Sequence, residues 1–131
     1  MITVDLARSL VVGGVLWQPQ PGDRFTIDRP NVVGEIFWIS ELTIDVLTYH
    51  GQPLLGFNGT TEWALDSVTL DVALWLPRED QLRELLGARF AALEATPPQW
   101  TVRLHAGDTV TTDFVDPDVE CAYARAVLAI V

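Results

Sequence analysis

The stretch Ala73-Leu74-Trp75-Leu76-Pro77-Arg78-Glu79-Asp80-Gln81-Leu82-Arg83-Glu84-Leu85-Leu86 decides how the chain folds. Val72 to Leu76 is apolar throughout, which predicts a short buried strand. Pro77 has a fixed φ and no N–H to lose, so it suits the first position of a helix. Leu82, Leu85, Leu86, Phe90 and Leu93 follow at i, i+3, i+4, i+8 and i+11, one face of that helix. Glu79 and Arg83 stand at i,i+4 as a supporting ion pair on its wet side. Gly87 costs about 1 kcal/mol in a helix interior. The stripe continues past it, so the helix is expected to reach about Glu94.

Upstream, Thr3 can cap a first helix over 4–12, with Asp5 in its opening turn and Gly13-Gly14 as a left-handed stop. Asp23 to Asp28 alternates, with Phe25 and Ile27 on one face, as a half-buried strand does. Glu35 to Ser40 carries apolar residues on both faces, which predicts a central strand. Thr43 to Tyr49 and Leu54 to Phe57 flank the turn residues His50-Gly51-Gln52-Pro53. These segments are expected to form a meander of three or four antiparallel strands. Thr60 or Thr61 can cap a short helix from Glu62 to about Val68.

Downstream, Trp100, Val102 and Leu104 alternate with Thr101, Arg103 and His105. Thr109 to Val115 is the expected hairpin partner of that strand. Asp116 is the expected cap of the last helix, with Pro117 at its first position. Val119, Ala122, Tyr123, Ala126, Val127 and Ile130 give that helix the strongest periodic stripe in the chain. The reading is a single α+β domain over 1–131: an antiparallel sheet, meander plus C-terminal hairpin, with about four helices packed on it.

Composition narrows the function. Almost half of the 131 residues are hydrophobic and five are tryptophan, so a packed core is expected. The net charge is −10, and all eight basic residues are arginine, scattered singly among acids. A nucleic-acid binder needs a phosphate-neutralising patch, which this pattern does not supply, and the same charge disfavours anionic membrane surfaces. One cysteine, Cys121, allows no intramolecular disulfide and no multi-cysteine zinc site. The apolar run from Leu10 to Trp17 is too short to span a bilayer. It also lacks the charged flank and small-residue site of a signal peptide. The expected compartment is the cytoplasm.

The candidate site residues are Trp17, Asn58, Glu62, Trp63 and Asp66. Glu62 and Asp66 lie at i,i+4 and could share a proton or hold a divalent ion, but a solvated helix face with a favourable N-terminal dipole is the preferred reading. Asn58-Gly59-Thr60-Thr61 precedes the short helix and could bind an anion through its amides, but it lacks the GxxxxGK[ST] pattern of a nucleotide loop. Trp17 and Trp63 lie beside loops and suit a pocket or partner surface, whereas Trp38, Trp75 and Trp100 fall in strand patterns and are assigned to the core. His50 and His105 stand alone beside turn glycines. Cys121 could be a reactive thiol near a helix start, but a packing role or an oligomer contact is preferred. No catalytic set converges, and neither a cofactor nor a metal is implied.

Three segments carry a family resemblance: Trp17-x-Pro19-x-x-Gly22-Asp23-x-Phe25, then Trp75-Leu76-Pro77-x-x-Asp80-Gln81-Leu82, then the closing helix from Ala122 to Ile130. Together they resemble a group of small uncharacterised proteins from actinobacteria and from phages or integrated elements. Some members bear a pilus-assembly name, but motors of that kind are nucleotide-binding ATPases and no phosphate loop stands here. The resemblance implies no activity and no functional residues. The expected function is a non-catalytic soluble interaction module of phage or mobile-element type, with a protein partner or a second copy of itself. One alternative is a small-ligand binder or hydrolase with a pocket near Asn58 to Asp66 and His50. Another is an acidic, immunity-like inhibitor of a basic toxin. Asp80 and Gln81 have no evident role from sequence.

Overall fold

The structure is a computed structural model that describes residues 1–40, 44–49, 52–57 and 67–131. Its class is α+β. The chain gathers into two compact units: a split unit made of residues 1–16 and 77–131, and an inserted unit made of residues 17–76.

The inserted unit contains two antiparallel three-stranded sheets among the described residues. In the first, β1 (Arg24–Ile27) lies between β2 (Phe37–Trp38) and β6 (Ala73–Trp75). In the second, β4 (Gln52–Phe57) lies between β3 (Ile44–Tyr49) and β5 (Ser67–Thr69). Phe25, Ile39 and Leu55 form a buried cluster in the inserted unit, with Trp17, Ile27, Phe37, Leu70 and Ala73 packed against them. Burying a side chain such as Phe25 contributes about 1.5–3 kcal/mol.

The expected single meander is therefore replaced by two sheets, and the residues expected at the centre lie at an edge. Among the described residues β2 pairs only with β1, through Arg24↔Trp38 and Phe25↔Phe37, while β1 takes the central place. Two-sided hydrophobicity in 35–40 mimics a central strand, but only Phe37 and Ile39 turn inward. The short helix expected from Glu62 falls mostly outside the described residues, and Ser67 and Val68 at its end belong to β5.

The split unit is a three-stranded antiparallel sheet and three α-helices. Helix α1 (Val4–Val12) starts as expected: the Thr3 hydroxyl accepts from the Leu6 N–H at 3.2 Å, and Ala7 and Leu10 are buried. Helix α2 spans Glu79–Leu86 only. Gly87 ends it at φ +55°, a left-handed conformation that glycine adopts without a Cβ clash. A 3-10 turn over 87–89 leads into β7 (Phe90–Thr96), so the expected continuation of the helix to Glu94 is overturned.

A β-bulge explains the misleading stripe. Phe90 pairs with Leu104 and Leu93 with Val102, with a register shift between Phe90 and Ala92. Three residues apart, Phe90 and Leu93 would face opposite ways in a regular strand. One extra residue puts both on the same face. An i,i+3 spacing is thus a bulged strand that looks like a helix.

β8 (Gln99–His105) and β9 (Thr111–Asp116) form the expected hairpin. β9 runs through Asp116, which pairs with Trp100. The cap of α3 (Val119–Leu128) is consequently Asp118, not Asp116: its carboxylate accepts from the Glu120 and Cys121 amides at 2.9 and 3.1 Å. Asp116 accepts instead from the Asp118 N–H and from Arg125 Nε. Helix α3 buries Cys121, Ala122, Tyr123, Ala124, Ala126 and Val127, and packs against β8, β9, α1 and α2.

Candidate functional site

Of the candidate site residues, Asn58, Glu62, Trp63 and Asp66 lie outside the described residues, as does His50. Trp17 is described. Its ring lies parallel to that of Trp75 with centroids 6.2 Å apart, and 6.0 Å from Phe25. The Trp17 indole N–H donates to the buried Asp23 carboxylate at 2.9 Å, and the same oxygen accepts from the Gln20 N–H at 3.1 Å. Gly22 sits at φ +92° just before Asp23. Trp17-x-Pro-x-x-Gly-Asp-x-Phe is thus a turn closed by its own carboxylate.

The second motif is explained in the same way. Leu76 and Arg24 exchange bonds: the Leu76 N–H donates to the Arg24 carbonyl, and Arg24 Nε donates to the Leu76 carbonyl at 3.0 Å. In the split unit, Gln81 Oε1 accepts from the Arg78 N–H at 3.0 Å, which satisfies an otherwise orphaned amide at the start of α2. Arg78 also pairs with Asp80, and the guanidinium holds that carboxyl below the usual carboxylate range. Asp80 and Gln81 therefore build a helix start. The Glu79–Arg83 pair is not among the ion pairs of the described residues, and the Arg83 guanidinium lies 4.1 Å from the centroid of the Phe90 ring.

Cys121 is buried near the start of α3. Burial pushes its thiol up, and Asp118 and Asp116 add to that. A thiol held protonated is a poor nucleophile. It faces a groove of about 590 Å³ lined also by Asp5, Asp116 and Asp118. Each of those carboxylates is already bonded: Asp5 to Arg8, Asp116 to Arg125, and Asp118 to the Met1 ammonium. Among the described residues no group of three or more His, Cys, Asp or Glu is placed to hold a metal ion. No helix of the described residues is long and apolar enough to cross a membrane.

The feature that the sequence conceals is Trp38. It is 51% exposed on the edge strand β2, and Trp100 is 38% exposed, so the assignment of both to the core is overturned. Period-two alternation sends Phe37 inward, where it stacks 5.5 Å from Phe25, and Trp38 outward. The Arg24 guanidinium lies 5.8 Å from the centroid of the Trp38 ring, a cation–π contact. Ile39 donates to Asp23 and accepts from Gly22, so alternation turns the backbone groups of Trp38 away from β1.

The segment leading to Trp38 is held in place. The Gly34 N–H donates to the fully buried Thr26 hydroxyl at 2.9 Å, and Val33 and Glu35 donate to Arg29 and Val32. Asn31 and Gly34 take positive φ to allow the turns. Val33 and Ile36 are 38% and 39% exposed, so residues 33–38 present three large apolar side chains on an ordered backbone. Scans of the chain against protein-family models, curated proteins and solved structures found no match.

Proposed function

We propose that this protein is a non-catalytic interaction module that self-associates through residues 24–38 of the inserted unit. The observation that carries the reading is Trp38, half exposed at a sheet edge beside Arg24, with Val33 and Ile36 exposed in the same stretch. An exposed tryptophan among aliphatic side chains is a residue type that dominates interface energetics, and the buried Arg24 holds its ring from beneath. The ordered turn lowers the entropy cost of docking.

Charge selects a second copy as the occupant. Residues 24–38 contain Arg24, Arg29, Asp28 and Glu35, a net charge of zero. These are the only arginines of the inserted unit, whose remaining residues hold six acids. Two copies of a chain of charge −10 repel one another generally, and this stretch is where they can meet without that cost. Both charge signs are present, as a self-complementary two-fold interface requires.

The test is mass in solution by sedimentation equilibrium. The expected result is twice the 14.5 kDa chain mass for the wild-type protein and the single-chain mass for Trp38→Ser, with unchanged circular dichroism. A wild-type protein that stays at 14.5 kDa at high concentration overturns the proposal, as does a Trp38→Ser variant that dimerises normally.

A further inference from the structure

Among the described residues Arg89 is an arginine without a carboxylate partner. Among the described residues the guanidinium makes no ion pair, hydrogen bond or ring contact, whereas Arg8, Arg78, Arg103 and Arg125 are each paired with acids. Arg89 lines a cleft of about 450 Å³ within the split unit, at the end of the β8–β9 hairpin. That volume lies in the range of roughly 300–1,000 Å³ typical of small-molecule sites. Leu104, Phe114 and Ile130 supply apolar walls, and His105 and Thr112 supply polar groups beside Arg89.

The lining contains no Asp or Glu, in a chain that carries 18 of them. An exposed arginine that lines the same cleft as these apolar walls suits a ligand with one negative end and one apolar end. Arginine is the side chain best shaped to take a carboxylate through paired N–H donors. The residues that follow α3, Ala129 and Ile130, also line the cleft. The end of that helix brings partial negative charge, which limits how much anionic charge the site can accept. We propose that this cleft binds a small monocarboxylate with an apolar tail. The inference stands apart from self-association, which involves the other unit.

The experiment is a titration of the isotope-labelled full-length chain with sodium octanoate, followed by amide chemical shifts. Saturable shifts are expected at Arg89, His105, Thr112 and Ile130. Octanol, which has the tail without the charge, and inorganic phosphate, which has charge without the tail, are expected to leave these amides in place. Arg89→Gln, with an otherwise unchanged spectrum, is expected to weaken octanoate about tenfold, the effect of losing one charge-assisted contact. Shifts that do not saturate would refute the site. So would octanol or phosphate acting as well as octanoate, or Arg89→Gln binding as the parent does.

Discussion

The split unit holds all three α-helices of the described residues and six of the eight arginines, whereas the inserted unit is built from short strands and carries four of the five tryptophans. In the split unit most of the arginines are paired with acids internally. Arg103 bridges Glu94 and Asp113 across three strands, Arg125 holds Asp116, and the Met1 ammonium holds Asp118. In the inserted unit aromatic packing takes that role, through Trp17, Trp75, Phe25 and Phe37. A unit that relies on large aromatic residues in short strands leaves some of them outside, and Trp38 is the one left at an edge. The difference teaches where to look for partners: aromatic surface in one unit, and, among the described residues, the contact-free Arg89 in the other.

The largest expected effect comes from the core of the inserted unit. Phe25 is fully buried, and Phe25→Ala should cost about 3–5 kcal/mol through lost burial and the cavity left behind. Four of the five tryptophans belong to this unit, so native tryptophan fluorescence should be lost. Far-ultraviolet helical dichroism, which reports the split unit, should persist. Loss of both signals together would break the comparison.

A smaller effect belongs to the start of α3. Asp118→Ala should cost about 1 kcal/mol as a lost helix cap, read as a lower urea midpoint of the helical signal. Burial alone would raise the Asp118 carboxyl, but the Met1 ammonium and the Cys121 and Glu120 amides outweigh it, so its pKa lies below the ordinary value of 3.8. Its folded-state pKa is depressed, so its contribution is present above the ordinary value and is lost as pH falls through the folded one. The Met1 ammonium is held above its ordinary 8.0, chiefly by Asp118, so its contribution is present below that value and fades as pH rises through the folded one. The helical transition should therefore weaken at both ends of the pH range. Asp118→Ala should flatten both losses, and an unchanged pH profile in that variant would contradict this assignment.

The smallest expected effect tests an unsatisfied group. The Tyr123 side chain is fully buried and stacks on Phe90 at 5.9 Å, and among the described residues its hydroxyl has no hydrogen bond of good geometry, with Arg83 the nearest donor to act on it. Burial, then the nearby Glu79, pushes the phenol up. Tyr123→Phe removes the orphaned oxygen and should leave stability unchanged or raise it by up to about 1 kcal/mol. A loss of more than that in urea unfolding would show that the hydroxyl has a partner in solution.

These results also show which parts of the fold were legible. Helix α1 and the β8–β9 hairpin follow from periodicity, and helix α3 follows from its apolar stripe, although burial extends beyond that stripe to Cys121 and Ala124. The run through Phe90 and Leu93 misleads because a bulge restores to a strand the spacing that a helix would use. The cap of α3 moves because Asp116-Pro117-Asp118 offers two aspartates and sheet pairing claims the first. Trp38 is hidden because its apolar neighbours Ile36, Phe37 and Ile39 suggest burial on both sides, while only pairing partners show that β2 ends the sheet. Asp80 and Gln81 are backbone and side-chain braces whose partner, Arg78, becomes evident only from geometry. Of the candidate site, Trp17 is seen to be part of the aromatic packing, and Arg89 carries no signal beyond being one arginine among eight.

The most direct test combines the two-unit comparison with self-association. Urea unfolding should be followed by tryptophan fluorescence and by helical dichroism at protein concentrations about tenfold apart. Association through residues 24–38 stabilises the inserted unit by mass action, worth up to about 1.4 kcal/mol per tenfold change in concentration. The fluorescence midpoint should rise with concentration while the helical midpoint stays fixed. Transitions that coincide at both concentrations, or a fluorescence midpoint that does not move, would contradict an interaction surface in the inserted unit.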